Sequence, residues 1–311
     1  MKMKPDIKPY ISVVIFTYNQ SELVSRNIES ILNQKDFISE IIVSDDCSTD
    51  STWDVIESYQ NRYPPLIKAF QNEHNLGIFE HLESTWSKVN GDLIFYMAGD
   101  DEFCSGVFEK ATKLVIDNKI DLKKDSFSLY FDFKFKSADG KERIFRNRKL
   151  QKYNPISLKI RNLIFNRTVG FSRNVLNQFY PVNKSIGIFA DGLLDIQVQL
   201  FSQRNYYDPF VGSIYYTGIG ISSKTKKLDS LRSYRKYFEE VSKVIDTTID
   251  NNENWLEYMK RKITYLISPT PKNYFYYVVF FVKGNSLAFG LRFFAKEFKE
   301  LVTNAYLLYR K

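Results

Sequence analysis

Short apolar runs alternate with helix-like segments through the first hundred residues, and this alternation restricts the fold more than any other feature. The apolar runs fall at residues 11–16, 41–43, 66–70 and 93–97, and the helix-like segments fall at residues 19–33, 51–63 and 78–89. Such a pattern predicts an α/β fold with a mostly parallel sheet that is covered by helices on both faces. Ligands of these sheets bind beyond the carboxyl ends of the strands.

Polar and acidic residues follow each predicted strand, at the positions where that rule places a ligand. They are Thr17-Tyr18-Asn19, Ser44-Asp45-Asp46, residues 71–77 and Gly99-Asp100-Asp101. Paired carboxylates at strand ends suit Mg²⁺ or Mn²⁺, which keep few protein ligands and share the rest with substrate phosphates. An isolated acidic pair is also common in ordinary loops and helix caps.

The charge is distributed unevenly along the chain. Residues 1–102 hold 8 Lys and Arg against 17 Asp and Glu, a net −9, which leaves +17 for residues 103–311. An acidic half suits a cation site, and a basic half suits an anionic partner such as a membrane surface, a pyrophosphate or a nucleic acid. Solvated surface charge is the plain alternative. No nucleic-acid-binding motif accompanies the basic residues, so we expect no nucleic-acid partner.

Cysteine and histidine are scarce. The two cysteines exclude a disulfide scaffold and a four-cysteine zinc site, and the two histidines argue against a His-rich metal site. We interpret Cys47 as a small filler, and His74 and His81 as surface residues or as supports for other groups. The first ten residues lack the apolar segment of a secretory signal, so we expect a cytoplasmic protein.

The pattern changes after residue 102. Alternating residues predict a half-buried strand over residues 127–135, with further strands at 143–145, 168–171 and 206–216. Helical patterns cover residues 188–202, 228–247 and 253–267. We therefore expect three parts, residues 1–102, 103–225 and 226–311.

The C-terminal residues form a basic, aromatic-rich stretch. Residues 274–282 are nine consecutive apolar residues, too few to span a bilayer, and apolar residues then recur with helical spacing up to Leu301. Interleaved Lys and Arg make this an amphipathic helix typical of a membrane interface. Packing on the chain's own core, or on a second subunit, is the alternative.

Five blocks of the first half, in the right order, resemble the family 2 glycosyltransferases. They are residues 11–19 (ISVVIFTYN) with the following 23–34, residues 40–52 (EIIVSDDCSTDST), Asn75-Leu76-Gly77, Gly91-Asp92-Leu93-Ile94, and Gly99-Asp100-Asp101. The resemblance covers about residues 9–110. It implies a GT-A fold, in which residues 1–102 form the nucleotide-sugar-binding half and residues 103–225 the acceptor-binding half.

The resemblance also implies roles for particular residues. Thr17, Asn19 and Glu22 would line the nucleoside pocket of a nucleotide-sugar donor, most often a UDP-sugar. Asp46 would accept a hydrogen bond from uracil, with Asp45 beside it. Gly77 and Gly99 would also lie at the donor. Asp100 would hold a divalent cation, Mn²⁺ or Mg²⁺, that bridges the diphosphate, with the help of Asp101.

One position departs from the family pattern. The acidic motif of the family is commonly Asp-x-Asp followed by another Asp, and here the first position is Ala98. The ligand carboxylate is kept and its upstream partner is lost. A protein that binds nucleotides or serves as a scaffold without catalysing transfer is therefore the alternative from another class.

The resemblance implies an inverting single displacement, which needs a base near the start of a helix in the second half. Asp191 fits this place, and Asp195 is the reserve candidate. A loop that often carries histidine in the family lacks it here, and Lys224, Lys226 and Lys227 follow instead, as diphosphate ligands or as a solvated cluster.

These expectations combine into one hypothesis. We expect the chain to transfer one sugar from a nucleotide sugar to a glycan acceptor linked to a lipid diphosphate, in the synthesis of a surface polysaccharide such as O-antigen or capsule. It would work on the inner face of the cell membrane as a peripheral protein. A nucleotidyltransferase is disfavoured, because residues 16–20 lack a Gly-rich, basic phosphate loop.

Overall fold

The computed structural model describes residues 8–148, 168–179 and 190–218, and beyond them residues 232, 235–237, 239–240, 261–262, 264–268 and 270–284. Of residues 190–191 and 279–284 it describes the backbone alone. The chain divides into a first unit, Met1–Val182 with Leu194–Lys224, and a second unit, Asn183–Leu193 with Thr225–Lys311. The three-part division expected from the sequence stays a prediction.

Strands and helices alternate in the first part of the chain. They are β1 (Ile11–Thr17), α1 (Val24–Leu32), a short 3₁₀ helix (Lys35–Phe37), β2 (Glu40–Asp45), α2 (Thr52–Arg62), β3 (Ile67–Gln71), α3 (Gly77–Trp86) and β4 (Leu93–Ala98). Each predicted strand and helix of this region is present, with ends that differ by a few residues.

Strands dominate the next part. The elements are β5 (Glu102–Phe103), α4 (Val107–Asp117), β6 (Phe127–Ser137), β7 (Glu142–Phe145), β8 (Val169–Ser172), α5 (Arg173–Leu176), α6 (Ala190–Phe201), β9 (Arg204–Thr217) and α7 (Pro271–Gly284). The sequence analysis missed α4, whose buried face of Val107, Phe108, Ala111 and Val115 has the helical spacing that would have revealed it.

One sheet of nine strands joins these elements, in the order β3-β2-β1-β4-β8-β6-β9-β5 with β7 paired to β6. Strands β3, β2, β1 and β4 are parallel neighbours, whereas β8 is antiparallel to both β4 and β6. Parallel strands need crossover helices, and α1, α2 and α3 supply them. The first four strands therefore end at a common edge.

Both faces of the sheet are buried. Ile11, Val13 and Ile15 of β1 belong to a core cluster that also contains residues of α1 and α2, and Val14 belongs to a second cluster. Successive residues of a strand point to opposite faces, so a strand covered on both sides is apolar at every position. This explains why the β1 sequence is a continuous apolar run.

Two predicted helix caps do not form. In the sequence, Asn19 and Glu22, and likewise Ser51 and Asp54, stand three residues apart, the spacing of a helix cap and its partner. In the structure α1 begins at Val24, and the Asn19 carboxamide accepts a hydrogen bond from the Thr49 amide instead. Ser51 makes no side-chain cap, and Asp50 accepts from the Thr52 amide in its place. At Asn19 a contact between two loops replaces the predicted cap, and at Ser51 a local bond to the preceding Asp50 does so.

The predicted C-terminal features are only partly described. Helix α7 contains the apolar run, and among its described side chains Tyr277 is buried, Tyr274 half-buried, and Phe275 and Tyr276 exposed. Among the described helices, none has the length and apolar character needed to cross a bilayer. Residues 285–311, which include the rest of the predicted amphipathic helix, lie outside the described residues, as do most of residues 228–247 and 253–267.

A buried carboxylate joins the amino ends of three strands. Glu40, at the start of β2, is fully buried and accepts hydrogen bonds from Ser12 Oγ (2.6 Å), Asn90 N (2.7 Å) and Lys68 Nζ (2.6 Å). Burial by itself raises the pKa of Glu40, but the hydrogen bonds from Lys68, Ser12 and Asn90 outweigh it and hold the pKa below its ordinary value of 4.5. The ionised form therefore stabilises the fold.

We expect Glu40→Gln to lower the free energy of unfolding at pH 7 by about 2 kcal/mol, because the ionic acceptor is lost. The Glu40 contribution is fully present above its ordinary pKa and disappears as the pH falls through its lower folded value. The difference between wild type and Glu40→Gln should thus shrink from about pH 5 downward, measured by urea unfolding. Glu142→Gln, at an exposed ion pair with Lys134, should behave like wild type. A difference that stays constant down to pH 3 would contradict this role.

Candidate functional site

The carboxyl ends of four parallel strands lie side by side in the first unit. Thr17 pairs with Asp45 in register, Asp45 pairs with Gln71, and Phe16 pairs with Ala98. The polar segments that follow these strands therefore leave the same edge of the sheet. This is the arrangement that the alternation in the sequence predicts, and it gathers the candidate residues of the first hundred positions.

Two of these segments brace each other. The Asn19 amide donates to Ser48 Oγ (2.9 Å), the Thr49 amide donates to Asn19 Oδ1 (2.8 Å), and the Asp46 amide donates to the Thr17 carbonyl (3.0 Å). Asn19 itself has a φ of 52°, in the left-handed region that Asn tolerates better than most residues. Asn19 thus holds the loop after β1 against the loop after β2.

Asp45 organises the loop after β2. It is fully buried, and its carboxylate accepts hydrogen bonds from the Ser48 amide (2.9 Å), the Ser48 hydroxyl and Gln71 Nε2 (3.0 Å). These bonds allow the chain to turn sharply through Cys47, whose φ is 58°. Cys47 is half-buried and its sulfur lies 3.8 Å from the Glu73 carbonyl. Asp45 therefore shapes the loop from within.

Asp46 caps the third helix. Its carboxylate accepts hydrogen bonds from the amides of Leu76 (2.9 Å) and Gly77 (2.9 Å) and from Asn72 Nδ2 (2.8 Å). Gly77 opens α3 with a φ of +77°, which only glycine adopts without strain, and this lets its amide face the carboxylate. A carboxylate is a favourable partner for the amides of a helix N-terminus, so these bonds hold the Asp46 side chain in a fixed place.

A buried polar cluster lies beneath Asp46. His81 on α3 is 4% exposed, and its Nε2 lies 2.9 Å from Ser44 Oγ, which also accepts from the Thr85 hydroxyl (2.8 Å). Burial lowers the pKa of His81 against the opposing pull of the Asp46 and Asp45 charges. His81 is therefore a neutral support of this edge, in line with its interpretation from the sequence.

The segment after β4 carries the predicted metal ligands. Gly99 donates its amide to the Phe16 carbonyl (2.9 Å), and a Cβ there would meet Gln20 Oε1 at 2.5 Å and Thr17 Oγ1 at 3.2 Å. The Asp100 side chain is partly exposed. Asp101 is 5% exposed, and its Oδ1 accepts from the Tyr216 amide (2.9 Å). A side chain at position 99 would therefore displace Gln20 and crowd Thr17 at the end of β1.

The side chains at this edge of the sheet are rich in oxygen atoms. They fit a divalent cation that is bound jointly by the protein and by the phosphates of a substrate. Within the described stretches no three His, Cys, Asp or Glu side chains gather as a cage for a metal ion. Mg²⁺ and Mn²⁺ need no such cage, since one or two carboxylates with substrate phosphates are enough. Asp100 and Asp101 supply that number. Thr17 Oγ1 and Gln20 Oε1 are also buried here without a hydrogen-bond partner among the described residues, which suits a site for a polar ligand.

Glu22 and Asp191 are less closely defined. Glu22 is exposed in the turn before α1. Asp191 is the second residue of α6, in the second unit, and its side chain lies outside the described residues. Lys224, Lys226 and Lys227 lie outside them as well. The roles of all the predicted site residues stay predictions.

Asp195, the reserve candidate for the base, is buried in the first unit. It is 8% exposed, and its carboxylate accepts a hydrogen bond from the Tyr96 hydroxyl of β4. This contact ties the described part of α6 to the sheet. The Asp195 carboxylate therefore supports the structure, and the choice between Asp191 and Asp195 as the base stays a prediction.

Sequence reasoning missed several residues that build the site. Arg26 and Asn27 of α1 and Tyr216 of β9 contact the Asp100–Asp101 segment, and Ser48 and Asp50 order the loop after β2. Single residues of these types on a helix or strand give no pattern that singles them out.

The curated relatives of this chain include glycosyltransferases. A glucosyltransferase of Campylobacter jejuni, named as acting on GalNAc(5)-diNAcBac-PP-undecaprenol, is 34% identical over 99 residues, 32% of each chain. The matches span only 27% to 48% of the length of the curated relatives.

Solved structures show the same fold over most of the chain. Staphylococcus aureus TarS in complex with UDP-GlcNAc has a TM-score of 0.60 at 16% identity, over 89% of this chain and 82% of that one. The mannosyltransferase PcManGT of Pyrobaculum calidifontis, in complex with GDP-Man and Mn²⁺, has a TM-score of 0.56 at 16% identity, over 97% and 81%. The GT-A fold expected from the sequence is confirmed.

The family model for glycosyl transferase family 2 matches residues 12–176, slightly more than half of the chain. This range begins in β1, ends in α5 and contains every strand end of the candidate site described above. The chain belongs to glycosyl transferase family 2.

Proposed function

We propose that this protein transfers one sugar from a nucleoside diphosphate sugar, with UDP as the nucleotide, to a hydroxyl group of a glycan acceptor. The observation that carries this proposal is the meeting of Thr17, Asp45, Asp46 and Asp100 at one edge of a parallel sheet in a family 2 chain. Relatives in solved structures bind UDP-GlcNAc or GDP-Man with Mn²⁺, which supports a nucleotide-sugar donor here.

The donor would lie across the ends of β1, β2 and β4. The loops braced by Asn19 would hold the nucleoside, and the Asp46 carboxylate, ordered by the amides of α3, would accept a hydrogen bond from the base. Asp100 and Asp101 would hold Mn²⁺ or Mg²⁺, which would neutralise the charge that develops on the departing diphosphate. The leaving group then departs without a proton from the protein.

Transfer would proceed by a single displacement that inverts the anomeric centre. The acceptor oxygen forms a bond to the anomeric carbon while the bond from that carbon to the diphosphate oxygen breaks, and the electron pair leaves with the diphosphate. Asp191 would take the acceptor proton. A position near the start of α6 favours its ionised form, as a base requires.

We propose a glycan linked to a lipid diphosphate as the acceptor, in the synthesis of a bacterial surface polysaccharide such as O-antigen or capsule. The Campylobacter relative is named for a glycan on undecaprenyl diphosphate, and the basic second half of the chain matches an anionic acceptor and membrane surface. The protein would then work as a peripheral protein on the inner face of the membrane.

The identity of the donor is tested with a panel of UDP- and GDP-sugars. The nucleoside diphosphate released from each is measured with and without Mn²⁺. We expect release from one donor class, increased by membranes that carry the acceptor. Absence of release with every donor and acceptor would instead favour a nucleotide-binding scaffold, the alternative that Ala98 raises.

The proposed binding to a membrane surface is tested at α7, where Phe275 is 62% exposed and Tyr276 is 37% exposed. Replacing both with Ser should reduce co-flotation with vesicles of phosphatidylglycerol and phosphatidylethanolamine about tenfold, because aromatic side chains at an interface contribute to binding through their buried area. Ile116→Ser and Ile144→Ser, at exposed apolar residues of the first unit, serve as the matched control. Unchanged flotation of the α7 variant would contradict a membrane role for this face.

A further inference from the structure

Three acidic residues follow one another at the edge that carries the donor site. Asp100 and Asp101 come after β4, and Glu102 begins β5. Consecutive carboxylates repel one another, so the conformation of this segment depends on the groups that hold it. One cation from α1 contacts the segment at two points.

That cation is Arg26, whose guanidinium forms a fork. Its Nη2 donates to the backbone carbonyl of Asp100 at 2.7 Å, and its Nε lies 2.7 Å from Glu102 Oε1. The Arg26 side chain is 35% exposed, so the pair is partly shielded from water. Arg26 therefore fixes the backbone of the residue that would hold the cation, and also neutralises the third carboxylate.

Tyr216 completes the arrangement from β9. Its ring lies under the guanidinium, with Arg26 Cζ 3.9 Å from the ring centroid. Its hydroxyl donates to Glu102 Oε1 at 2.5 Å, and its amide donates to Asp101 Oδ1 at 2.9 Å. The Arg26 guanidinium is thus restricted to few orientations. The Tyr216 ring covers one face of its plane, and the Glu102 carboxylate and the Asp100 carbonyl lie at its edge.

We propose that Arg26 is a positioning residue that sets the orientation of Asp100 for the divalent cation of the donor complex. This inference rests on the proposed cation at Asp100. The required group is a planar fork, because one atom must reach a backbone carbonyl while another meets Glu102 and the plane stacks on Tyr216. An ammonium group keeps the charge but cannot make these three contacts together.

A positioning role and a purely electrostatic role of Arg26 predict opposite changes in Mn²⁺ affinity when the residue is replaced by Ala. Removing a positive charge beside the acidic segment strengthens its attraction for a cation, so Arg26→Ala would tighten Mn²⁺ binding if charge alone mattered. Loss of positioning weakens Mn²⁺ binding, because groups that orient metal ligands typically contribute 10- to 100-fold to affinity. Arg26→Lys separates the two roles further, because it keeps the positive charge and loses the planar guanidinium that makes the positioning contacts.

The test measures Mn²⁺ binding to the full chain by electron paramagnetic resonance, in the presence of UDP and with Mn²⁺ and UDP alone as the reference. We expect the Mn²⁺ dissociation constant to rise about tenfold in both Arg26→Ala and Arg26→Lys. Arg62→Ala is the matched control, since Arg62 stacks on Tyr59 at 4.1 Å on α2 and should leave the constant unchanged. Circular dichroism and thermal unfolding verify that each variant is folded.

Each result decides a separate point. Unchanged binding in Arg26→Lys, or tighter binding in Arg26→Ala, overturns the positioning role and leaves the proposed function standing. Wild-type protein that binds no Mn²⁺ with UDP overturns the cation at Asp100, and this inference with it. If Arg26→Ala fails to fold, Arg26→Lys alone decides, because it retains the charge that Glu102 needs.

Discussion

Replacing Asp191 with Asn should lower the rate of sugar transfer on the order of 10³-fold while nucleotide binding stays within twofold. An amide has nearly the shape of the carboxylate and cannot accept the acceptor proton. The donor contacts proposed for the first unit do not involve Asp191, so the nucleotide should bind as before. Transfer is measured as product formed on the acceptor, and UDP binding by calorimetry.

Asp195→Asn is the matched control, one turn further along α6. The Asp195 carboxylate accepts a hydrogen bond from Tyr96, and an Asn oxygen still accepts it, so transfer should continue in a slightly less stable protein. The reverse outcome, in which Asp195→Asn is inactive and Asp191→Asn active, would reassign the base to Asp195. Substantial turnover in both variants would contradict a carboxylate base on this helix.

Asp100→Asn should have an effect of similar size on a different step. A metal ion that stabilises a departing diphosphate supplies several kcal/mol, so losing about 4 kcal/mol slows release of the nucleoside diphosphate roughly a thousandfold. Added Mn²⁺ should restore part of the rate, since weakened binding is overcome by concentration. The rate is followed as nucleoside diphosphate released against Mn²⁺ concentration.

Asp92→Asn provides the control for Asp100 at the opposite end of β4. Asp92 precedes the strand and pairs with Lys123 at 2.9 Å, remote from the strand ends that form the donor site. The same change from Asp to Asn at position 92 should keep the Mn²⁺ concentration that the release rate requires within about twofold of the wild-type value. If Asp100→Asn retains the wild-type rate and Mn²⁺ response, the assignment of Asp100 is wrong.

The sequence allowed the parallel part of the fold and the position of its functional edge to be predicted. The apolar run of β1 and the helical spacing of α1 are local patterns, and burial on both faces of a parallel sheet produces them directly. Because parallel strands share one carboxyl edge, Asp45 and Asp100 could be expected at that edge before any coordinates were known.

The contacts within that edge could not be predicted in the same way. Asn19 was expected to cap a helix and instead accepts from Thr49, and Asp46 binds the amides at the start of α3. Both contacts join residues that are about 30 positions apart in the chain. No rule based on spacing along a helix or strand reaches that far, which is also why Arg26 and Tyr216 were missed.

The central claim is that the edge formed by β1, β2 and β4 binds a nucleotide sugar together with a divalent cation. The most direct test is the rate of nucleoside diphosphate release from the preferred donor, measured before and after complete chelation of divalent ions and again after Mn²⁺ or Mg²⁺ is restored. We expect the release of nucleoside diphosphate to stop on chelation and to return with the metal. An undiminished rate in the chelated protein would contradict it.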